Sequence, residues 1–204
     1  MPANRYHFVS RWRVDGSVTE VADILDDAES LSRWWGSVYS NVDLIGEGDS
    51  AGLGKTFRLL GKGWLPYTLH LSFRKVDERY PNGFTVAISG DLNGTGIWSL
   101  VQEGPAVAVT FDWTVSADKA VLRWFSPVFK PIFASNHRWT MRRGEESLRL
   151  ELLRRRATTP DDLVQIPAPP RPFWVEKRWL ALASAVVLAA ISGVLHLCHR
   201  SSQA

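Results

Sequence analysis

A single cysteine, Cys198, is all the chain carries in 204 residues. Disulfides need pairs and thiolate zinc sites need several ligands, so both frameworks are excluded. Charge of one sign is not in excess either: 24 Lys and Arg stand against 21 Asp and Glu, a formal charge of +3. The basic residues are mostly dispersed and no DNA or RNA recognition motif occurs, so nucleic acid is not an expected partner. HExxH and P-loop patterns are absent, and Gly52-Leu-Gly54 is too short for dinucleotide binding, so neither a metal nor a cofactor is expected. A mean hydropathy of −0.11 excludes a multi-span membrane protein but leaves room for one span. Residues 1–13 hold Arg5, Arg11 and Arg13 and no apolar run of signal-peptide length, so no cleaved leader is expected.

What is present is the balance of a folded chain, 45% hydrophobic and 22% charged, long enough for one domain and an appendage. Ten Trp are a heavy load, and aromatic residues require a large core or a cavity wall. The hydrophobicity is unevenly distributed. Leu180 to Cys198 is a run of 19 residues without Asp, Glu, Lys or Arg. As a helix at about 1.5 Å per residue it is long enough to cross a hydrocarbon core. The competing reading is a buried core helix. Trp174, Lys177, Arg178 and Trp179 before the run and His199 and Arg200 after it suit a membrane interface. Lys and Arg are denser before the run, which predicts a single-pass membrane anchor with the large domain cytoplasmic. Ala181, Ala185, Ala189 and Gly193 recur every four residues, a spacing that permits close helix approach and a homodimer through the span.

Three zones follow: a domain over 1–156, a linker over 157–172 and an anchor over 173–204. The linker holds Pro160, Pro167, Pro169, Pro170 and Pro172, which predicts a non-helical, polyproline-like segment reaching roughly 50 Å. The domain opens with a strand in which Tyr6, Phe8, Ser10, Trp12 and Val14 share one face. Ser17 and Glu20 form a capping box ahead of Val21, Ile24 and Leu25, and a second short helix holds Leu31 and Trp34. Six strand candidates follow: 38–45, 55–60, 67–76, 84–89, 96–101 and 107–115. Gly46-Glu-Gly48, Gly61-Lys-Gly63, Pro81-Asn-Gly83, Asn93-Gly94 and Glu103-Gly104-Pro105 separate them. Short turns between consecutive strands imply an antiparallel meander. A helix over about 131–155 closes the domain. The expected class is α+β, with about seven strands curved around that helix, which alone is large enough to cover an apolar sheet face. The gap between them is a natural ligand cavity.

Specific residues accompany this order. They are Val14 to Asp27 running into Leu31-Ser-Arg-Trp34-Trp35; Gly52-Leu-Gly54-Lys55; Gly94-Thr-Gly96-Ile-Trp98-Ser-Leu100; Thr110-Phe-Asp-Trp113; and Phe133 to Glu145, with Asn136-His137 and Trp139. Over residues 5–155 the chain resembles the START-like superfamily, also called SRPBCC or helix-grip, in its polyketide cyclase/dehydrase and lipid-transport branch. The resemblance implies a cavity for a hydrophobic small molecule between sheet and closing helix.

The candidate walls are Phe8, Trp12, Phe57, Leu59, Tyr67, Leu69, Leu71, Phe73, Val109, Phe111 and Trp113 from the sheet, and Phe129, Phe133, His137 and Thr140 from the helix. Each is either plain core or cavity lining; alternation alone does not decide. His137 and Tyr67 are the catalytic candidates, His137 as a proton carrier and Tyr67 as a donor to a carbonyl. A structural helix histidine is the commoner outcome for such a residue, since sequence fixes no acid beside His137. His70, Asp91 and Asp112 are expected on the solvent side. The seven Arg between Arg138 and Arg156 face only three Glu, and read either as a solvated helix end or as a contact for anionic lipid. Three functional readings stand: a membrane-tethered binding module for a lipid, isoprenoid quinone or polyketide-like aromatic; a cyclase or dehydratase using the same cavity; and an interaction protein with a collapsed cavity.

Overall fold

The computed structural model describes residues 5–50, 52–117 and 126–172, with the backbone only for 126–129. The chain begins with strand β1 (Arg5–Asp15), helix α1 (Val18–Asp26), a single 3-10 turn (Ala28–Ser30) and helix α2 (Leu31–Trp34). Six strands follow: β2 (Tyr39–Gly46), β3 (Thr56–Gly61), β4 (Leu69–Glu78), β5 (Gly83–Gly90), β6 (Asn93–Glu103) and β7 (Ala106–Ser116). Helix α3 (Ser126–Arg156) and a short α4 (Pro160–Gln165) close the described part. The seven strands form one antiparallel sheet in the order β1-β7-β6-β5-β4-β3-β2. The helix pair thus carries the chain from one edge of the sheet to the other, and a meander returns it.

The local chemistry behaves as the pattern requires. The Ser17 amide donates to Glu20 Oε2 at 2.8 Å and the Glu20 amide donates to Ser17 Oγ at 3.3 Å, which starts α1. Val21, Ile24 and Leu25 of α1 are buried. A solid core fills one end of the sheet, with Val14, Leu100, Val107, Val109 and Leu148 almost fully enclosed. Each such side chain contributes about 1.5–3 kcal/mol. Ion pairs tie the C-terminal end of α3 to the helix pair. Arg156 donates to Glu20 at 2.7 Å, Arg155 to Asp27 at 3.1 Å, and Arg33 to buried Glu151 at 2.7 Å.

Several expectations need correction. Helix α3 starts at Ser126, five residues ahead of the expected Pro131. Pro127 falls in the first turn, where backbone N–H groups have no intrahelical partner; Pro131 sits inside and forgoes one bond. Strand β4 starts at Leu69, leaving Tyr67 in the loop before it. Asn93-Gly94 is not a turn but the start of β6. The chain reverses at Asp91-Leu92 instead, after Gly90 at φ 114°. The Pro-rich segment is not free of helix. Pro160 opens α4, with Thr159 Oγ1 accepting from the Asp162 amide at 3.2 Å. Proline at the first helical position loses nothing, because its missing N–H would be unpaired there anyway. The arginine-rich end of α3 is also less free than a lipid contact needs. Arg149, Arg155 and Arg156 pair with carboxylates, and Arg154 donates to the Pro167 carbonyl.

Among the described residues, no helix is long and apolar enough to cross a membrane. The candidate span, with Trp179, Ala181, Ala185, Ala189 and Gly193, lies outside the described residues, as does the side chain of Phe129.

Candidate ligand cavity

Alternation along the strands aims every second residue at α3. On β4 these are Leu69, Leu71, Phe73 and Lys75; leading into and along β3 they are Lys55, Phe57, Leu59 and Gly61. Tyr6 and Phe8 of β1, Phe84 and Val86 of β5, Trp98 of β6 and Phe111, Trp113 and Val115 of β7 also line the sheet side, and Phe133, Asn136, His137, Thr140 and Met141 of α3 form the roof. They enclose a cavity of about 440 Å³. That is within the usual range for small-molecule sites.

Of the expected wall residues, Phe8, Phe57, Leu59, Tyr67, Leu69, Leu71, Phe73, Phe111, Trp113, Phe133, His137 and Thr140 line this space. Trp12 and Val109 do not. Both are buried in the solid core, at 5% and 1% exposure. The reason is Trp35, which follows α2 and wedges between sheet and helix. Its ring packs edge-on to Trp12 at 5.6 Å and lies against Gly144, where a Cβ would come within 2.3 Å of its Cζ2. The cavity ends at this wedge, on whose far side Trp12 sits. The sequence reading missed Trp35, Tyr39, Phe84, Trp98, Lys55, Lys75 and Asp26, all of which contribute to the lining. The two lysines were legible: Lys75 extends the Leu69, Leu71, Phe73 alternation, and Lys55 precedes Phe57 and Leu59 in the same phase.

His137 is set in a stack of rings. The rings of Phe8 and Trp113, themselves 6.1 Å apart, lie 4.6 and 5.0 Å from it at interplanar angles of 18° and 15°. Its Nε2 is 3.1 Å from Ser10 Oγ. Burial, with Arg138 nearby, lowers its pKa from 6.5 to about 4, so the ring is neutral at pH 7. No carboxylate hydrogen-bonds to it among the described residues. A proton carrier working near neutrality needs the opposite adjustment. Tyr67 is also displaced from an active range: burial and then the neighbouring Tyr6 push its phenol up to about 12. It remains a hydrogen-bond donor rather than a base. Burial raises the Tyr39 phenol likewise.

The expected solvent-side residues divide. His70 is exposed, and Asp112 pairs with His7 at 3.0 Å on the outer face. Asp91 instead is half-buried at the cavity margin, where its carboxylate accepts the His70 amide at 2.9 Å. The loop 62–68 covers the same margin. Asn136 of α3 holds it by accepting from the amides of Trp64 at 2.9 Å and Leu65 at 3.3 Å. At the other end, Lys75 bonds to Asp26 of α1 and to Glu78, with its ammonium 5.5 Å from the centre of Phe84. Lys55 pairs there with Glu29 at 3.1 Å. Among the described residues no cluster of His, Cys, Asp and Glu could hold a metal ion.

No family model matches the chain, and no curated protein does. Solved structures share its fold. TTHA0849 from Thermus thermophilus has a TM-score of 0.59 at 11% identity, covering 74% of this chain and 100% of that one. The Zhui aromatase/cyclase from Streptomyces sp. R1128 has a TM-score of 0.57 at 12% identity, over 76% and 97% of the two chains. A START superfamily protein from Mycobacterium smegmatis has a TM-score of 0.50 at 12% identity, over 66% and 97%. The likeness is one of fold, and it agrees with the helix-grip class expected from the sequence.

Proposed function

We propose that this chain is a binding module that holds a neutral or weakly polar hydrophobic molecule between the sheet and α3. The cavity itself carries this reading: about 440 Å³, walled mainly by aromatic and aliphatic side chains. An open volume of that size argues against a collapsed interior whose only role is an interface. The state of His137 argues against a cyclase or dehydratase, because a neutral ring bonded to Ser10, with no acid partner among the described residues, is poorly suited to moving protons. Two fold neighbours named as an aromatase/cyclase and a START superfamily protein are consistent with a hydrophobic ligand, and a polyketide-like aromatic, a quinone or a lipid would each suit the apolar walls.

The same proposal includes a tether. The apolar run from Leu180 to Cys198 would hold the module at the membrane with its domain on the cytoplasmic side, next to the phase in which an apolar ligand dissolves. Organic extraction of the purified full-length protein followed by mass spectrometry tests the binding reading. A molecule recovered in near-stoichiometric amount is the expected result; a protein that yields none and takes up no hydrophobic probe overturns it. Protease added to intact cells tests the topology. The domain should survive, and its digestion would refute the cytoplasmic placement.

A further inference from the structure

Lys75 is an unusual residue for its position. It projects from the inner face of β4, in phase with Leu69, Leu71 and Phe73, and its side chain is only 12% exposed. At about 3.3 Å per residue it stands about 20 Å along the strand from Leu69 and the loop-covered margin. Its ammonium has three hydrogens. Asp26 takes one and Glu78 another. The third has no hydrogen-bond acceptor among the described residues, and the ammonium sits beside the ring of Phe84.

The charges facing this point decide what it can receive. Lys55, Lys75 and Asp26 of α1 line the cavity, and Glu29 of the 3-10 turn and Glu78 of β4 pair with the two lysines from outside that lining. Carboxylates outnumber ammonium groups by one. An anionic head entering here meets two ammonium groups whose charge Asp26, Glu29 and Glu78 already balance. A cationic head meets two ammonium groups against one carboxylate at the cavity wall. A neutral oxygen acceptor meets neither penalty and satisfies the remaining donor. We propose that Lys75 is a specificity-determining residue for a neutral carbonyl oxygen on the apolar ligand. This rests on the cavity being a binding site, and narrows it to neutral ketones, quinones or esters over hydrocarbons and free acids.

Three probes of one shape test this: fluorenone, fluorene and fluorene-2-carboxylate. Each is measured by equilibrium dialysis against the full-length chain in lipid nanodiscs, with empty nanodiscs as the blank. Wild type should bind fluorenone about tenfold tighter than fluorene, the size of one good hydrogen bond to a charged group, and tighter than the carboxylate. Lys75→Met should bring fluorenone and fluorene to equal affinity. Lys75→Arg should restore the preference. A wild-type ratio near one, a carboxylate that binds tightest, or a preference that survives Lys75→Met would each overturn the role of Lys75. The wild-type ratios stand even if Lys75→Met does not fold. Failure of all three probes to bind wild type overturns the cavity reading beneath it.

Discussion

Ser10 of β1 and His137 of α3 meet side chain to side chain, Oγ to Nε2, at 3.1 Å, with the imidazole lying face-on over the neighbouring rings of Phe8 and Trp113. The contact joins the edge strand to the closing helix across the cavity roof. It also fixes how the fold responds to acid. Burial, and then Arg138, lower the His137 pKa from 6.5 to about 4. The native state therefore binds fewer protons than the unfolded chain between those values, and stability falls as pH drops through that window. From pH 7 to pH 5 the loss should be about 2 kcal/mol. Urea unfolding of wild type and His137→Asn at both pH values checks this. The variant should lose much less on acidification. Equal losses in the two proteins would show that His137 does not drive the effect.

Glu151 supplies the complementary case. Its carboxylate is 1% exposed and accepts from Arg33 at 2.7 and 2.8 Å and from Arg155 at 3.1 Å. Burial alone would raise its pKa, but the hydrogen bonds from Arg33 and then Arg155 outweigh burial and hold it below 4.5. The stabilisation is present above 4.5 and is lost as pH falls through the lower folded value. Arg33 keeps 57% of its side chain in solvent, so the pair is worth less than a fully enclosed one. Glu151→Gln should cost roughly 1–3 kcal/mol at pH 7. The difference from wild type should shrink at pH 3, as read by thermal melts at both values. A difference that does not change with pH would mean that packing, not charge, is lost.

Gly144 inverts a general rule. Glycine inside a helix is less stable than alanine by about 1 kcal/mol. Here a Cβ would stand 2.3 Å from Cζ2 and 2.6 Å from Cε2 of Trp35, a ring that is 3% exposed and has little room to retreat. Gly144→Ala should therefore destabilise by roughly 1–3 kcal/mol, the usual range for overpacking. Chemical denaturation measures it. A stabilised variant would show that the wedge of Trp35 is loose. Because Trp35 also ends the cavity, its displacement should change uptake of hydrophobic probes in the same variant.

The sheet could be read from the sequence because its strands alternate strictly and their turns carry glycine, as at Gly83 and Gly104 with φ of 133° and 60°. The cavity could be read only in part. Alternation says that Trp12 and Phe8 share a face; it does not say that Trp35 separates them into core and wall. That division depends on Gly144, more than a hundred residues away, leaving space for an indole. His137 was visible as a candidate, but its partner Ser10 lies 127 residues distant, and the choice of serine over an acid decides its chemistry. Lys75 carries a charge at a position whose phase is otherwise apolar, so the hydrophobic pattern alone does not mark it as lining. The helix at Pro160 was hidden by counting prolines without asking which helical position each occupies.

Asn136 gives the most direct test of how the cavity is kept closed. Its Oδ1 accepts from the amides of both Trp64 and Leu65, and Gly63 leaves space for the side chain, since a Cβ there would fall 2.1 Å from that oxygen. Tyr67 and Thr68 of the same loop line the cavity, so these two bonds link α3 to part of its margin. Each is worth about 1 kcal/mol net. Asn136→Ala should speed hydrogen exchange at Trp64 and Leu65 by about tenfold, a factor that corresponds to about 1.4 kcal/mol of local opening. Amides in β6 and β7 should exchange as before. Asn136→Asp keeps an oxygen acceptor at the same place and should retain protection. If Asn136→Ala leaves the loop amides as protected as in wild type, other contacts hold the loop and Asn136 is not its anchor. If β6 and β7 lose protection equally, the variant has weakened the whole domain rather than released one segment.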